Sequence, residues 1–326
     1  MIVNKTTIVI LILVIFGFSL IITIPIFIIS YNLSNYGIID ENLTFIYAPS
    51  SPSTVDELNI NIDIGNVEIR YIYPPFDYYA KLKVDIEMMG KGIVEKSYLD
   101  FFDISWENES SLVNFNLLLK SGINPIEILP LIKNITIIVE LNAEIIYDLR
   151  TDIDQGNFEI LVPWGATISN LLVNITYGNI LYYLNQCTIE GNITGSTQKG
   201  ILELKTFNAQ YNRNSVWTLS TYDGNMDIEI YQYEDMGANI SGKVSIFARG
   251  VLFFSYEDDK PSIGALFSLN PSPDYIPPEN YNGFNLGFPS VEVAVLTSYD
   301  FPAKNFYNLS LFVDNEGYIS PYIKSD

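Results

Sequence analysis

The stretch TDIDQGNFEILVP, residues 151–163, carries two readings, and the choice between them decides the fold. Asp152 and Asp154 ahead of Gly156 look like the opening of a calcium loop, whereas Gly156-Asn157 between apolar runs also marks a tight turn between strands. The calcium reading fails on spacing. An EF-hand loop needs glycine at its sixth position and glutamate at its twelfth, but here glycine arrives fifth and Pro163 stands twelfth.

The turn reading repeats along the chain. Aligning on Gly65, Gly156, Gly178, Gly200, Gly224 and Gly242 puts asparagine next at Asn66, Asn157, Asn179 and Asn225. Two and four residues on, the side chains are apolar each time: Val67/Ile69, Phe158/Ile160, Ile180/Tyr182, Leu202/Leu204, Met226/Ile228 and Val244/Ile246. From Gly156 the steps are 22, 22, 24 and 18 residues, the length of one supersecondary unit in a stacked all-β array. Glycine takes the positive φ of a tight corner, asparagine tolerates left-handed φ, and the alternation behind them turns one face into a shared core. The segment EGNITG (190–195) interrupts the count. Two all-β architectures therefore stay open, a β-solenoid and a β-sandwich of Gly-Asn hairpins.

Around these repeats (146–256) the chain divides by composition. Residues 57–145 form an all-β region of short β-branched or aromatic runs such as LNINIDIGNVEIRYIY and ITIIVELNAEIIYDL, with NPIEILPLIK able to form one helical turn. Residues 257–326 read as an irregular Pro- and Gly-rich cap with two closing strands, VEVAVLTSY and YNLSLFVD, shielding the last sheet edge. At the other end, residues 7–30 contain no charged side chain. A helix over that run is about 36 Å long, enough to cross a bilayer and longer than the core of a cleavable signal peptide. The expectation is one N-terminal transmembrane helix, an uncleaved signal anchor, with a cytoplasmic stub at 1–6 containing Lys5 and a polar stalk at 31–56. The C-terminal domain is then extracellular on a single-pass protein of the cell membrane. N-x-S/T acceptor sites stand at Asn4 before the span and at Asn32, Asn42, Asn108, Asn134, Asn174, Asn192, Asn239 and Asn308 after it, as expected of an exported glycoprotein.

Composition closes several function classes. The 326 residues, 48% hydrophobic and 14% aromatic, supply a sizeable core, so disorder is not expected. A net charge of −21 repels nucleic acid and anionic headgroups, leaving cations, basic partners, other surface proteins and glycans. The absence of histidine removes Ser-His-Asp and Cys-His nucleophile arrangements and every His-ligated metal centre. The single cysteine, Cys187, removes an intrachain disulfide and reads as a small buried hydrophobe in a strand. A carboxylate pair, a tyrosine or a lysine remains as catalytic apparatus, and none has a signature here. No cofactor is implied.

The residues three after each aligned glycine are Glu68, Glu159, Leu181, Glu203, Asp227 and Ser245. In a stack, Glu159, Glu203 and Asp227 are candidate ligands for a hard cation such as Ca²⁺. The plainer account is a solvated face, with Arg70 and Lys205 two residues on to offset the charge. The run YEDDK, with Glu257 to Asp259, reads as a solvated loop. Exposed tyrosines would add a sugar- or protein-binding surface.

The series GNVEI, GNFEI, GNILY, GNITG, KGILEL, GNMDIEI and GKVSI resembles the putative-adhesin family of repetitive all-β domains on prokaryotic proteins, over about residues 145–250 with an isolated match at 60–70. That resemblance implies a surface or envelope location and adhesion, and it supplies no catalytic residues. The leading reading is a membrane-anchored surface protein with a non-catalytic binding, adhesion or envelope-structural role. The alternatives are a ligand- or calcium-binding ectodomain acting with a partner subunit, and a membrane-tethered carboxylate-pair hydrolase.

Overall fold

A computed structural model describes residues 36–49, 55–75, 77–109, 111–259, 262–271, 281–290, 292–314 and 317–325. The expected stub and anchor at 1–30, together with Asn4 and Asn32, lie outside these residues. Among the described residues no helix is long and apolar enough to cross a membrane.

The described chain is nearly all β. It begins with β1 (Tyr36–Tyr47), β2 (Val55–Ile64), β3 (Asn66–Ile72), β4 (Ala80–Lys91), β5 (Phe102–Glu109), β6 (Leu112–Leu119), the short helix α1 (Pro125–Ile128) and β7 (Ile132–Asn142). A regular series follows: β8 (Ile146–Gln155), β9 (Phe158–Val162), β10 (Thr167–Tyr177), β11 (Ile180–Asn185), β12 (Thr188–Ile189), β13 (Ile193–Lys199), β14 (Leu202–Phe207) and β15 (Gln210–Tyr211). It continues through β16 (Ser215–Asp223), β17 (Met226–Gln232), β18 (Ile240–Arg249) and β19 (Val251–Asp258). The chain ends with β20 (Ile263–Asn270), β21 (Tyr281–Asn282), β22 (Phe284–Ser290), β23 (Val293–Ser298), β24 (Asn305–Val313) and β25 (Tyr318–Ser325).

Strands on either side of a glycine corner do not pair with each other, which removes the hairpin reading. β8 pairs in parallel with β2 and β10, while β9, just past Gly156, pairs in parallel with β3 and β11 in the other sheet. Each corner thus carries the chain from sheet 2 (14 strands) to sheet 1 (11 strands), and successive coils stack in register. The inner positions form continuous columns: Phe158, Ile180, Leu202, Met226 and Leu252 follow one another rung by rung, each at most 1% exposed. A fully buried side chain of this size contributes about 1.5–3 kcal/mol, but a single coil has nothing to bury it against, so the stack forms as a whole.

The corners are built on glycine for a steric reason beyond φ. Gly178 has φ 147°, and a Cβ placed on it would overlap the carbonyl oxygen of Gly156 on the rung below. Gly156 stands in the same relation to Gly65, Gly200 to Gly178, Gly224 to Gly200 and Gly250 to Gly224. Beside this column runs an asparagine ladder. Asn66 Oδ1 accepts from Asn157 N, Asn157 Oδ1 from Asn179 N, and Asn179 Oδ1 from Ile201 N, at 3.0, 3.0 and 2.8 Å.

Gly242 of the aligned set and Gly191 of EGNITG stand outside this glycine column. Gly242 lies within β18, facing Trp217, and the corner that ends this coil is Gly250, whose neighbour Val251 N donates to Asn225 Oδ1 at 2.9 Å. The true last step is therefore 26 residues rather than 18, and Leu252 and Phe254 take the inward places assigned to Val244 and Ile246. Gly191-Asn192 of EGNITG sits at a different corner, the entry to sheet 2, where Asn192 Oδ1 accepts from Val216 N at 2.9 Å.

Chain order and stacking order differ at both ends. The β6/β7 coil stacks outside β2/β3, with the loop before α1 and α1 itself standing where other coils have a glycine corner. Asn124 caps α1 by accepting from Ile126 N at 3.1 Å, so NPIEILPLIK does form the expected single turn. Tyr36–Tyr47, within the stretch expected to be a stalk, instead pairs along its whole length with β4 at the edge of sheet 1. Its end is tied down by Tyr47, 4% exposed, whose hydroxyl donates to Asp56 Oδ1 at 3.2 Å. At the C-terminal end β24/β25 add a further coil onto β18/β19, and β20 with antiparallel β22 and β23 closes sheet 2 outside it. Antiparallel strands thus cover the parallel stack at both ends of sheet 2.

Candidate functional site: a polar groove on sheet 2

Alternation along β2, β8, β10 and β13 sends every second side chain outward, and the parallel register lines these up across the rungs. One column reads Asn61, Asp152, Asn174, Ser196. These groups hold one another: Asn174 Nδ2 donates to Asp152 Oδ1 at 2.8 Å and Ser196 Oγ donates to Asn174 Oδ1 at 2.7 Å. The other oxygen of Asp152 accepts from Arg150 Nε at 3.0 Å. On the adjoining columns Asn170 Nδ2 donates to Asp148 Oδ2 at 2.7 Å, and Thr176 Oγ1 donates to Asp154 Oδ1 at 3.3 Å.

The loop Lys120–Asn124 overhangs this surface where the β6/β7 coil lacks a glycine corner. Two adjoining depressions of about 250 and 450 Å³ share Asp63, Asp154 and Thr176, and the loop forms one wall of the larger. The first is lined by the polar columns, including Asn61, Asp152, Asn174, Ser196 and Gln198. The second adds Ile64, Leu119, Ile123, Pro125 and Tyr177. Asp63 Oδ2 accepts from Leu119 N at 2.6 Å, which fixes the start of the overhang against β2. Tyr177 is 56% exposed and answers which tyrosine meets solvent beside a recess.

Asp152 and Asp154 of the opening stretch therefore come together here with Asp63. The sequence singles out Asn174 only as a glycan acceptor and leaves Asn61, Asp63 and Ser196 unmarked, although Asp152, Asn174 and Ser196 stand 22 residues apart and their hydrogen bonds follow that offset. The 22-residue step was visible in the glycines and, carried to the outward positions, finds the column.

The acidic candidates occupy the opposite sheet. Glu68, Glu159, Leu181, Glu203 and Asp227 form one outward column in register, and Phe253 follows Asp227 where Ser245 was expected. Leu181 separates Glu159 from Glu203. Lys205 Nζ lies 2.8 Å from Glu229 Oε1 and 3.9 Å from Glu203 Oε2, and Arg70 pairs with Glu68. Burial, with repulsion from Glu229 and Glu203 against attraction from Lys205, raises the Asp227 carboxyl above its ordinary range. Among the described residues, no three His, Cys, Asp or Glu side chains gather in a way that could hold a metal.

Other candidates fall as follows. Asp258 of YEDDK is not in a solvated loop: it ends β19 at 1% exposure, because the inward alternation of Leu252, Phe254 and Tyr256 continues through it. Cys187 is buried as expected but lies in the turn between β11 and β12, level with the equally buried Ala166 and Ala209. Burial pushes its thiol up to about 12. Among the acceptor asparagines, Asn42 and Asn108 are exposed on the edge strands β1 and β5. Exposed Asn134 accepts from Thr136, half-buried Asn308 faces out from β24, and Asn174, Asn192 and Asn239 are engaged between coils.

No protein-family model matches the sequence, and no curated protein matches it. Solved structures similar to the chain include a putative cell adhesion protein from Clostridium sporogenes ATCC 15579, at 14% identity over 88% of this chain and 100% of that one, with a TM-score of 0.38. Another is a putative adhesin from Bacteroides fragilis NCTC 9343, at 14% identity over 88% of this chain and 97% of that one, with a TM-score of 0.30.

Proposed function

We propose that the chain is a non-catalytic binding protein of the cell surface, a β-solenoid displayed outside the membrane on the anchor at residues 7–30. The observation that carries this reading is the outer face of sheet 2. Its polar side chains are held rung to rung by hydrogen bonds, around a groove built by a dedicated overhang. Such a surface is set up for recognition, where ordered side chains lower the cost of binding. The calcium alternative at Glu159, Glu203 and Asp227 has less support, since Leu181 separates Glu159 from Glu203 and Lys205 already lies against Glu203 and Glu229. Glycans, if added, belong at Asn42 and Asn108, whose side chains face solvent at the sheet edges, rather than at the three asparagines bonded between coils.

The test is protease treatment of intact cells expressing the full chain. Digestion of the all-β region before permeabilisation is the expected result. An all-β region that survives until the membrane is opened contradicts the topology on which the reading depends.

A further inference from the structure

We infer that the groove under the Lys120–Asn124 overhang binds a neutral glycan, with Tyr177 as the face on which a sugar ring lies and the sheet 2 polar columns as its hydroxyl partners. The inference rests on the binding reading above and names the ligand class for that site.

The lining decides between ligand chemistries. A bare cation needs several oxygens free to converge, yet both carboxylate oxygens of Asp152 are taken, by Asn174 Nδ2 and Arg150 Nε, and one oxygen of Asp63 is held by Leu119 N. An anion meets Asp63, Asp152 and Asp154 and is repelled. An ammonium or guanidinium group donates only, so it satisfies the carboxylates but not the carboxamide donors of Asn61 and Gln198. A hydroxyl both donates and accepts. A row of hydroxyls can therefore give hydrogen bonds to the remaining oxygens of Asp63 and Asp154, and take them from Asn61 and Gln198.

Shape agrees with this choice. One end of the groove is polar, and the other is walled by Ile64, Leu119, Ile123 and Pro125 with the exposed Tyr177 ring beside them. A pyranose has this same division, polar at its hydroxyl rim and apolar on its C–H face, and an aromatic ring accepts the latter. The larger depression, about 450 Å³, lies in the size range of small-molecule sites, about 300–1,000 Å³, and the smaller, about 250 Å³, extends it along the polar columns. Rungs about 4.8 Å apart repeat the polar groups along the stack, which suits a chain of sugars better than a lone ring. The locked geometry of Asp152, Asn174 and Ser196 means that little side-chain entropy is lost on binding.

The experiment uses the full chain in a detergent without sugar groups, probed with an array of neutral oligosaccharides and then by calorimetry with the best binder. Tyr177→Ala and Asp154→Ala should each weaken binding by about ten-fold or more, the loss of one aromatic or hydrogen-bonded contact at a site centre. Glu159→Gln, on the opposite sheet, should leave it unchanged, as should EDTA. Tyr177→Ala and Asp154→Ala should keep a cooperative thermal transition, since both side chains are exposed, and Glu159→Gln should be at least as stable as the parent, since it removes one charge from the acidic column. Absence of binding to any neutral oligosaccharide overturns the inference. So does binding that EDTA abolishes and Ca²⁺ restores, preference for a lysine-rich peptide over every sugar, or equal binding by Tyr177→Ala. If oligosaccharides bind as expected while the protease experiment fails, the site stands and the surface location falls. If the all-β region is displayed but Tyr177→Ala makes no difference, the reverse holds.

Discussion

A methyl group at Gly178 would have nowhere to go. It would overlap the Gly156 carbonyl, and the backbone at φ 147° already disfavours any side chain. Gly122 offers the contrast, with φ 90° and open space around a built Cβ. Gly122→Ala should therefore cost only backbone strain, about 1–2 kcal/mol, while Gly178→Ala should cost at least about 4 kcal/mol because two coils must separate. Urea unfolding of both variants checks this, and equal losses would show that φ rather than collision sets the corner. The same residue type explains what could be read from sequence. Gly-x-apolar-x-apolar was enough to find the corners at Gly65, Gly156, Gly178, Gly200 and Gly224. It could not distinguish Gly250 from Gly242, since both precede alternating apolar residues and only the stacked carbonyl separates them. Asn61 and Asp63 were illegible as site residues for a related reason: their partners stand dozens of positions away in β6 and β8, and outward polar residues in isolation look like any solvated face.

Between elements, the asparagine ladder has one missing rung. Asn179 Oδ1 accepts from Ile201 N, but Ile201 offers no carboxamide to the Asn225 N–H on the next coil. Ile201 is 40% exposed, so little burial is lost on replacing it. Ile201→Asn should restore the rung and raise stability by about 0.5–1.5 kcal/mol, read as a higher urea midpoint at unchanged slope. A lower midpoint would mean that the ladder follows from stacking rather than contributing to it. The acidic column on sheet 1 gives a prediction of opposite sign. Asp227 titrates higher in the folded chain than in the unfolded one, through burial and the neighbouring Glu229 and Glu203. The folded state therefore binds the proton more tightly. This group stabilises the fold fully below its unfolded value, and that contribution disappears as pH rises through the folded value. Asp227→Asn keeps the neutral form at every pH. It should match the parent below about pH 4 and exceed it at neutral pH, with the gap opening across the interval between the two values. A thermal midpoint series from acid to neutral pH reads this directly, and a variant less stable at neutral pH would show that attraction to Lys205 outweighs the repulsion.

At the scale of the molecule, strands and corners were legible but the order of coils was not. Nothing local in β6 or β7 says that they stack outside β2 and β3, because parallel register depends on complementary columns rather than on any turn. The stalk expectation failed the same way. The polar run Asp40-Glu41-Asn42 and the Pro/Ser cluster that follows let Tyr36–Tyr47 pass for part of a linker, and it is a strand because β4 offers it an edge. Stacking in register has an electrostatic consequence as well. With 38 acidic against 17 basic residues, it brings like charges onto neighbouring rungs about 4.8 Å apart, as at Glu68 and Glu159 or Glu203 and Asp227. That spacing is shorter than the screening length at about 0.1 M salt, about 10 Å, and far shorter than the roughly 30 Å at 0.01 M. Unfolding moves these carboxylates apart, so the net charge of −21 should act against the folded state most strongly at low ionic strength. Raising sodium chloride from about 0.01 to about 0.5 M at neutral pH should lift the thermal midpoint by several degrees, with most of the rise complete by about 0.1 M. In Asp227→Asn the rise should be smaller, since one member of the column no longer carries charge. A midpoint that falls with salt would mean that ion pairs between strands such as Lys205–Glu229 and Lys83–Glu140, with Arg150–Asp152 within one strand, contribute more than the columns cost, and that the acidic surface is held together by its few cations.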